Sequence, residues 1–176
     1  MLAVRPNCWH KGLTEQVNAP TTGLQQGGFE SPSVGAGSFA YDPTGSAWTF
    51  NGSAGVSGNG SGFTSGNPNA PEGSQVAFLQ ATGSFSQAVN FNAGTFDVTF
   101  SAAQRGNNGV STQTFQVLID GMAVGTFTPA GTAYSTFTTS NFTVTAGTHT
   151  ISFVGLDPNG GDNTAFIDNV QLKAGL

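Results

Sequence analysis

The sequence predicts an all-β chain folded as an antiparallel β-sandwich, and three observations lead there. Apolar and polar residues alternate with the two-residue period of a half-buried strand. Residues 94–103 show it most cleanly, with Phe96, Val98, Phe100 and Ala102 on one face and Asp97, Thr99 and Ser101 on the other. Glycine and other turn residues separate these runs at short, regular spacing, and Asp120-Gly121 is a strong hairpin turn. No segment carries a 3.6-residue apolar period long enough for a helix.

The elements follow in order. Gly27-Gly28-Phe29-Glu30-Ser31-Pro32 reads as a short strand ended by proline. Residues 31–46 read as a Gly/Ser/Pro loop, and residues 47–50 as a short strand. Residues 52–71 form a long Gly/Asn/Ser stretch with one aromatic, Phe63, and long loops in compact domains are usually functional. Strands are then expected at 75–80, 84–91, 94–103, 112–119, 122–128, 134–144 and 148–155. Residues 157–163 read as a turn built from Asx residues, or as a second cation loop; they lack the glutamate of an EF-hand. The last strand runs to Leu172.

Composition narrows the functional classes. A chain of 176 residues suits one domain. Only 7% of residues are charged, against roughly 25% in ordinary globular chains. Such a polar, uncharged β-protein suits work outside the cell, so a secreted or cell-surface setting is expected. A net charge of −5 with four Lys+Arg argues against nucleic acid, whose phosphates need several cations. No apolar run is long enough to insert into a membrane as a helix. The single cysteine, Cys8, closes no intrachain disulfide. We expect residues 1–26 to be an arm or linker without a secretory signal's apolar segment, 27–173 the β-sandwich module, and 174–176 a tail.

The final strand poses a chemical problem. At period two, Phe166, Asp168, Val170 and Leu172 point one way and Ile167, Asn169 and Gln171 the other. A carboxylate therefore lies on the apolar face. Left unpartnered it costs several kcal/mol, so it protonates, pairs or binds a metal. Arg105 is the only fixed cation between Lys11 and Lys173. A bound calcium ion is one candidate partner; capping of loop amides and pairing with Arg105 are the others.

Several motifs together resemble a known family. Gly28-Phe29-Glu30 near the start and Phe166-Ile167-Asp168-Asn169-Val170 at the end flank Ala47-Trp48, Pro71-Glu72-Gly73-Ser74-Gln75, Phe85-Ser86-Gln87 and Gly94-Thr95-Phe96-Asp97-Val98-Thr99-Phe100. This pattern resembles the galactose-binding-like β-sandwich, the jelly-roll fold of many carbohydrate-binding modules. It looks like a secreted bacterial branch related to plant cell-wall proteins of unknown function, over residues 27–173. The resemblance implies neighbouring first and last strands, with a structural calcium ion (Ca2+) where they meet. Glu30 and Asp168 map to its carboxylate ligands. Hard cations of this kind take oxygen ligands at about 2.3–2.6 Å.

Candidate ligand-binding residues cluster in loops. Arg105 opens the loop holding Asn107 and Asn108, and its guanidinium could donate to sugar hydroxyls or a uronate. Phe63 and Tyr134, with Tyr41, sit in or beside loops and could expose a ring. Trp48 could offer a stacking face, although its place between Ala47 and Phe50 also suits the core. Fifteen Phe against two Tyr and two Trp leave few rings suited to sugars. His149 shares the parity of Ile151 and Phe153, and no nucleophile stands beside a base.

The expectation is a non-catalytic extracellular carbohydrate-binding module, held by calcium, that takes a polysaccharide or glycan at the loop end carrying residues 52–72 and 105–109. The alternative is a structural module of an adhesin, matrix or filament protein. Such a module would pack against copies of itself or neighbouring domains, with the N-terminal arm along a neighbour's edge.

Overall fold

The computed structural model describes residues 23–108, 112–159 and 161–176. Residues 1–22, with Cys8, and Gly109 of the Arg105 loop lie outside them. The strands are β1 (Phe39–Tyr41), β2 (Thr49–Asn51), β3 (Ala54–Gly58), β4 (Gln75–Gln80), β5 (Ser84–Phe91), β6 (Gly94–Gln104), β7 (Phe115–Ile119), β8 (Met122–Phe127), β9 (Ser135–Thr138), β10 (Phe142–Val144), β11 (Gly147–Gly155) and β12 (Thr164–Ala174). One sheet has the order β1-β3-β4-β12-β6-β10, with β9 also paired to β6, and the other the order β2-β5-β11-β7-β8. Every pairing is antiparallel. The structure is the expected antiparallel β-sandwich, with no helix among the described residues.

The alternation read from the sequence places the core between the sheets. In β5 Phe85, Gln87, Val89 and Phe91 are buried, and Ser84, Ser86, Ala88 and Asn90 are exposed or half-exposed. Phe85 stacks on Phe153 at 4.9 Å within the five-stranded sheet, and Phe100 of the other sheet meets Phe153 edge-on at 5.3 Å. Such aromatic pairs add about 0.5–1.5 kcal/mol each beyond the area they bury.

Four features differ from the sequence expectation. Residues 27–32 form a turn, not a strand; Phe29 has φ 57° and buries its ring, and Gly27 is tied to the last strand by the Val170 amide at 2.9 Å. The first strand is therefore β1, on the sheet edge beside β3, while β12 lies between β4 and β6. The two stretches read as loops contain β1 and β3. Alanine, glycine and serine dominate β3, and a side chain on Gly55 would collide with the Ala40 carbonyl, so only glycine lets the edge strand approach. The segment 134–144 is two strands along one edge of β6, broken where Thr139 Oγ1 accepts the Val98 amide at 3.0 Å and the Ser140 amide reaches the Val124 carbonyl.

The fourth difference concerns the last strand. A bulge between Asp168 and Gln171, with Asn169 at φ 50°, breaks its parity. Ala165, Ile167 and Val170 join the core between the sheets. Phe166 instead joins a second cluster with Phe63, Val76 and Phe78, packed by Ala70 and Tyr134. That cluster lies on the outer face of the seven-stranded sheet, and Asp168 shares the parity of Phe166. Residues 59–74 fold back over this face. A buried hydroxyl network holds their start, with Ser57 to Ser61 at 2.6 Å and Thr64 Oγ1 donating to the Gly58 carbonyl at 2.7 Å.

Candidate functional site

Two places gather chemistry. The first is a cleft of about 330 Å³ at the end of the sandwich where β6 and β11 finish, lined by Phe39, Tyr41, Gly62, Phe63, Arg105 and Asp162. β1 presents Phe39 and Tyr41 as successive outward residues, 46% and 43% exposed. Their rings lie 6.1 Å apart at 84° to each other. Phe63 beneath them is 6% exposed, stacked on Phe78 at 4.7 Å and covered by the Arg105 guanidinium at 4.2 Å.

Arg105 is fixed rather than free to swing. Its Nε donates to Asn107 Oδ1 at 2.8 Å and its Nη2 to the Gly62 carbonyl at 3.1 Å. Asn107 Nδ2 in turn donates to the same carbonyl and to Ser65 Oγ at 2.7 Å. The two loops expected to form the binding end are thus stitched together. On the facing side the Tyr41 hydroxyl donates to Gln80 Oε1 at 2.7 Å, and Gln80 Nε2 donates to Asp162 Oδ1 at 3.3 Å. Partial burial pushes the Tyr41 hydroxyl's pKa up, the Asp162 charge adds to the rise, and Arg105 opposes it.

The second place is the corner joining the 27–31 turn, the end of the 59–74 loop and the β12 bulge. A shallow cleft here is lined by Gly28, Glu30, Glu72 and Asn169 among others. Asp168 is fully buried; its Oδ2 accepts the Glu72 amide at 2.8 Å and its Oδ1 the Asn169 amide at 2.7 Å. Burial raises its pKa from 3.8 to about 7 against the pull of those two amides, and the charges of Glu72 and Glu30 raise it further. Glu30 accepts from the Ser74 and Gln75 amides at 2.9 and 3.0 Å. The Glu72 carboxylate lies over Gly28, and that of Glu30 over Gly73, where any side chain would collide.

The predicted residues divide accordingly. Glu30 and Asp168 meet in one corner, and Arg105 does not pair with Asp168. The amide-capping alternative for Asp168 is realised. The donor set is all oxygen and acidic, which suits a hard cation, although no group of three His, Cys, Asp or Glu among the described residues is spaced to hold a metal. Trp48 is 2% exposed in the core, its Nε1 spent on the Gln26 carbonyl at 3.0 Å, so it offers no stacking face. Tyr134 is half-buried against the outer cluster. Its hydroxyl is buried without a partner, and its pKa is raised by burial and by Asp168. Asn108 is exposed at φ 58°.

Comparisons with known structures come down to the fold. The chain matches TmCBM61 in complex with β-1,4-galactotriose at TM-score 0.58 and 21% identity, over 88% of this chain and 99% of that one. It matches the C-terminal family 22 carbohydrate binding module of Clostridium thermocellum Xyn10B at 0.52 and 16%, over 81% and 96%. The fold is the galactose-binding-like jelly roll. A cyclase from Fischerella sp. TAU shares it at 0.61 and 18%, over 88% and 98%, so this jelly roll alone does not fix an activity. No protein-family model matches the sequence, and no curated protein matches it.

Sequence reasoning missed Phe39, Asp162 as part of the cleft, and Glu72. The alternation Phe39-Ala40-Tyr41 was a usable strand signal, hidden by the glycines, serines and prolines around it. The sequence marks Asp162 only within the 157–163 turn or cation loop and Glu72 only within a family motif, and nothing local assigns either to the site that the fold assembles around it.

Proposed function

We propose that this jelly roll is a non-catalytic, extracellular carbohydrate-binding module. The observation that carries the reading is the cleft in which two exposed aromatic rings stand beside a fixed guanidinium and a carboxylate. Ring faces cover the apolar C–H surface of a sugar, while the charged groups take its hydroxyls. The jelly-roll fold shared with carbohydrate-binding modules supports the same reading. The pair that most resembles acid–base machinery, His149 with Asp120 at 2.5 Å, lies at the opposite end of the sandwich.

The proposal includes a structural calcium ion at the Glu30–Asp168 corner, supported by the buried carboxylate and its two acidic neighbours. Bound there, calcium would supply positive charge to neutralise them and hold the turn, loop and bulge together. The test is a glycan array with pull-down on insoluble polysaccharides, using wild type and a Phe39→Ala/Tyr41→Ala variant in calcium. Binding that the variant loses while keeping its fold is the expected result; silence of the folded wild type across a broad panel refutes the reading.

A further inference from the structure

Resting on that reading, we infer that the cleft takes the terminal unit of a neutral glycan chain and rejects uronates. The shape argument starts from the rings. Units inside an extended chain pack on aromatic faces that share a plane. Phe39 and Tyr41 stand at 84° to each other, and neither shares a plane with Phe63, at 58° and 75°. Such a corner holds one sugar ring by a face and an edge and gives the next unit no platform. One wall is closed by the Gly62 carbonyl, which already accepts from Arg105 and Asn107. The volume of about 330 Å³ stands at the small end of ligand clefts.

The charge argument starts from what is left unpaired. Arg105 and Asp162 both line the cleft, yet they form no ion pair with each other. Arg105 keeps donor capacity at Nη1, and Asp162 keeps its Oδ2. A sugar hydroxyl donates one hydrogen bond and accepts others, so adjacent hydroxyls satisfy a guanidinium and a carboxylate together. A uronate carboxylate only accepts. It would gain from Arg105 and be repelled by Asp162, at the cost of leaving that acceptor without a donor.

Titration calorimetry with neutral xylo-, manno-, galacto- and cello-oligosaccharides, their polymers and oligogalacturonides tests this. The expected result is one protein per chain at every length, an affinity that levels off beyond the disaccharide, and uronides at least about tenfold weaker. Asp162→Asn should weaken the neutral ligand and narrow the gap to uronides without changing the unfolding temperature. A stoichiometry that rises with chain length, or uronides bound as tightly as neutral chains, overturns the inference and leaves carbohydrate binding standing. Silence across the whole panel overturns both.

Discussion

Replacing Asp168 by asparagine should remove a pH dependence that the wild-type fold carries. The carboxyl's pKa rises from 3.8 to about 7 on folding, chiefly through burial. A group raised in this way stabilises the fold fully below its unfolded pKa, and that stabilisation is lost as pH climbs through the folded value. Each unit is worth about 1.4 kcal/mol, so up to about 4 kcal/mol disappears between acid and pH 8 in chelator. For a chain of this length that lowers the unfolding temperature by about 10 °C. Asparagine keeps one acceptor where Asp168 serves two amides, so the variant loses about 1–3 kcal/mol at every pH and is otherwise flat.

The assay is thermal unfolding of both proteins at pH 5 and pH 8, with chelator and with calcium. Wild type should lose about 2.5 kcal/mol of that stability from pH 5 to pH 8, while Asp168→Asn stays flat over the same interval. Calcium should restore wild type at pH 8 and leave Asp168→Asn unmoved, since an ion that binds only the folded form stabilises it by mass action. His149, raised by its bond to Asp120, drifts in the same direction as pH rises, but does so equally in both proteins. Asp120 and Asp157 have lowered pKa values and titrate below this window. Parallel slopes in chelator would refute the buried-carboxylate reasoning, and an unchanged wild type in calcium would refute the metal.

Further outcomes follow from the same geometry. Phe39→Ala and Tyr41→Ala should each weaken glycan binding about tenfold or more by calorimetry, and Phe39→Ala should cost no more than about 1 kcal/mol in urea unfolding. Gly55→Ala should push the edge strand off β3, costing about 1–3 kcal/mol and weakening glycan binding although Gly55 lies outside the cleft. Asp120→Asn should lower the His149 midpoint in an NMR titration, because their hydrogen bond is the main cause of its rise. Chelation at pH 8 should weaken glycan binding, and an affinity indifferent to calcium would disprove that link.

What was legible in the sequence is what local periodicity encodes. Residues 84–91 alternate, residues 75–80 are a short apolar run closed by Gln at each end, and both are strands at those bounds. β3 was hidden because it is buried along its whole length and its glycines serve backbone approach, which leaves no alternation to read. Asp168 shows the limit in one residue. Parity paired it with Phe166, and it is buried there, but a single left-handed residue, Asn169, sends Val170 to the core between the sheets and leaves Phe166 and Asp168 on the outer face. The cleft is harder still, since Phe63 and Arg105 meet only after the 59–74 loop folds back across the sheet.

That loop explains why the two chemical sites need not be independent. Its far end gives the Glu72 amide to Asp168, and the Ser74 and Gln75 amides that follow go to Glu30. Its near end supplies Gly62 and Phe63 to the cleft. Between them the Asn59 side chain accepts the Ala70 amide at 2.8 Å, and Asn67 Nδ2 reaches the Gln104 and Thr132 carbonyls at 2.7 and 2.8 Å. The loop's few apolar anchors are Phe63 and Ala70, so its order rests mainly on these polar ties. Carboxylate repulsion at the corner would therefore loosen a segment on which Arg105 depends, since one of its hydrogen bonds and its aromatic contact both belong to that segment. Neutralising the corner, by proton or by cation, would then act on the cleft by setting how often the loop is in place, without touching the ligand.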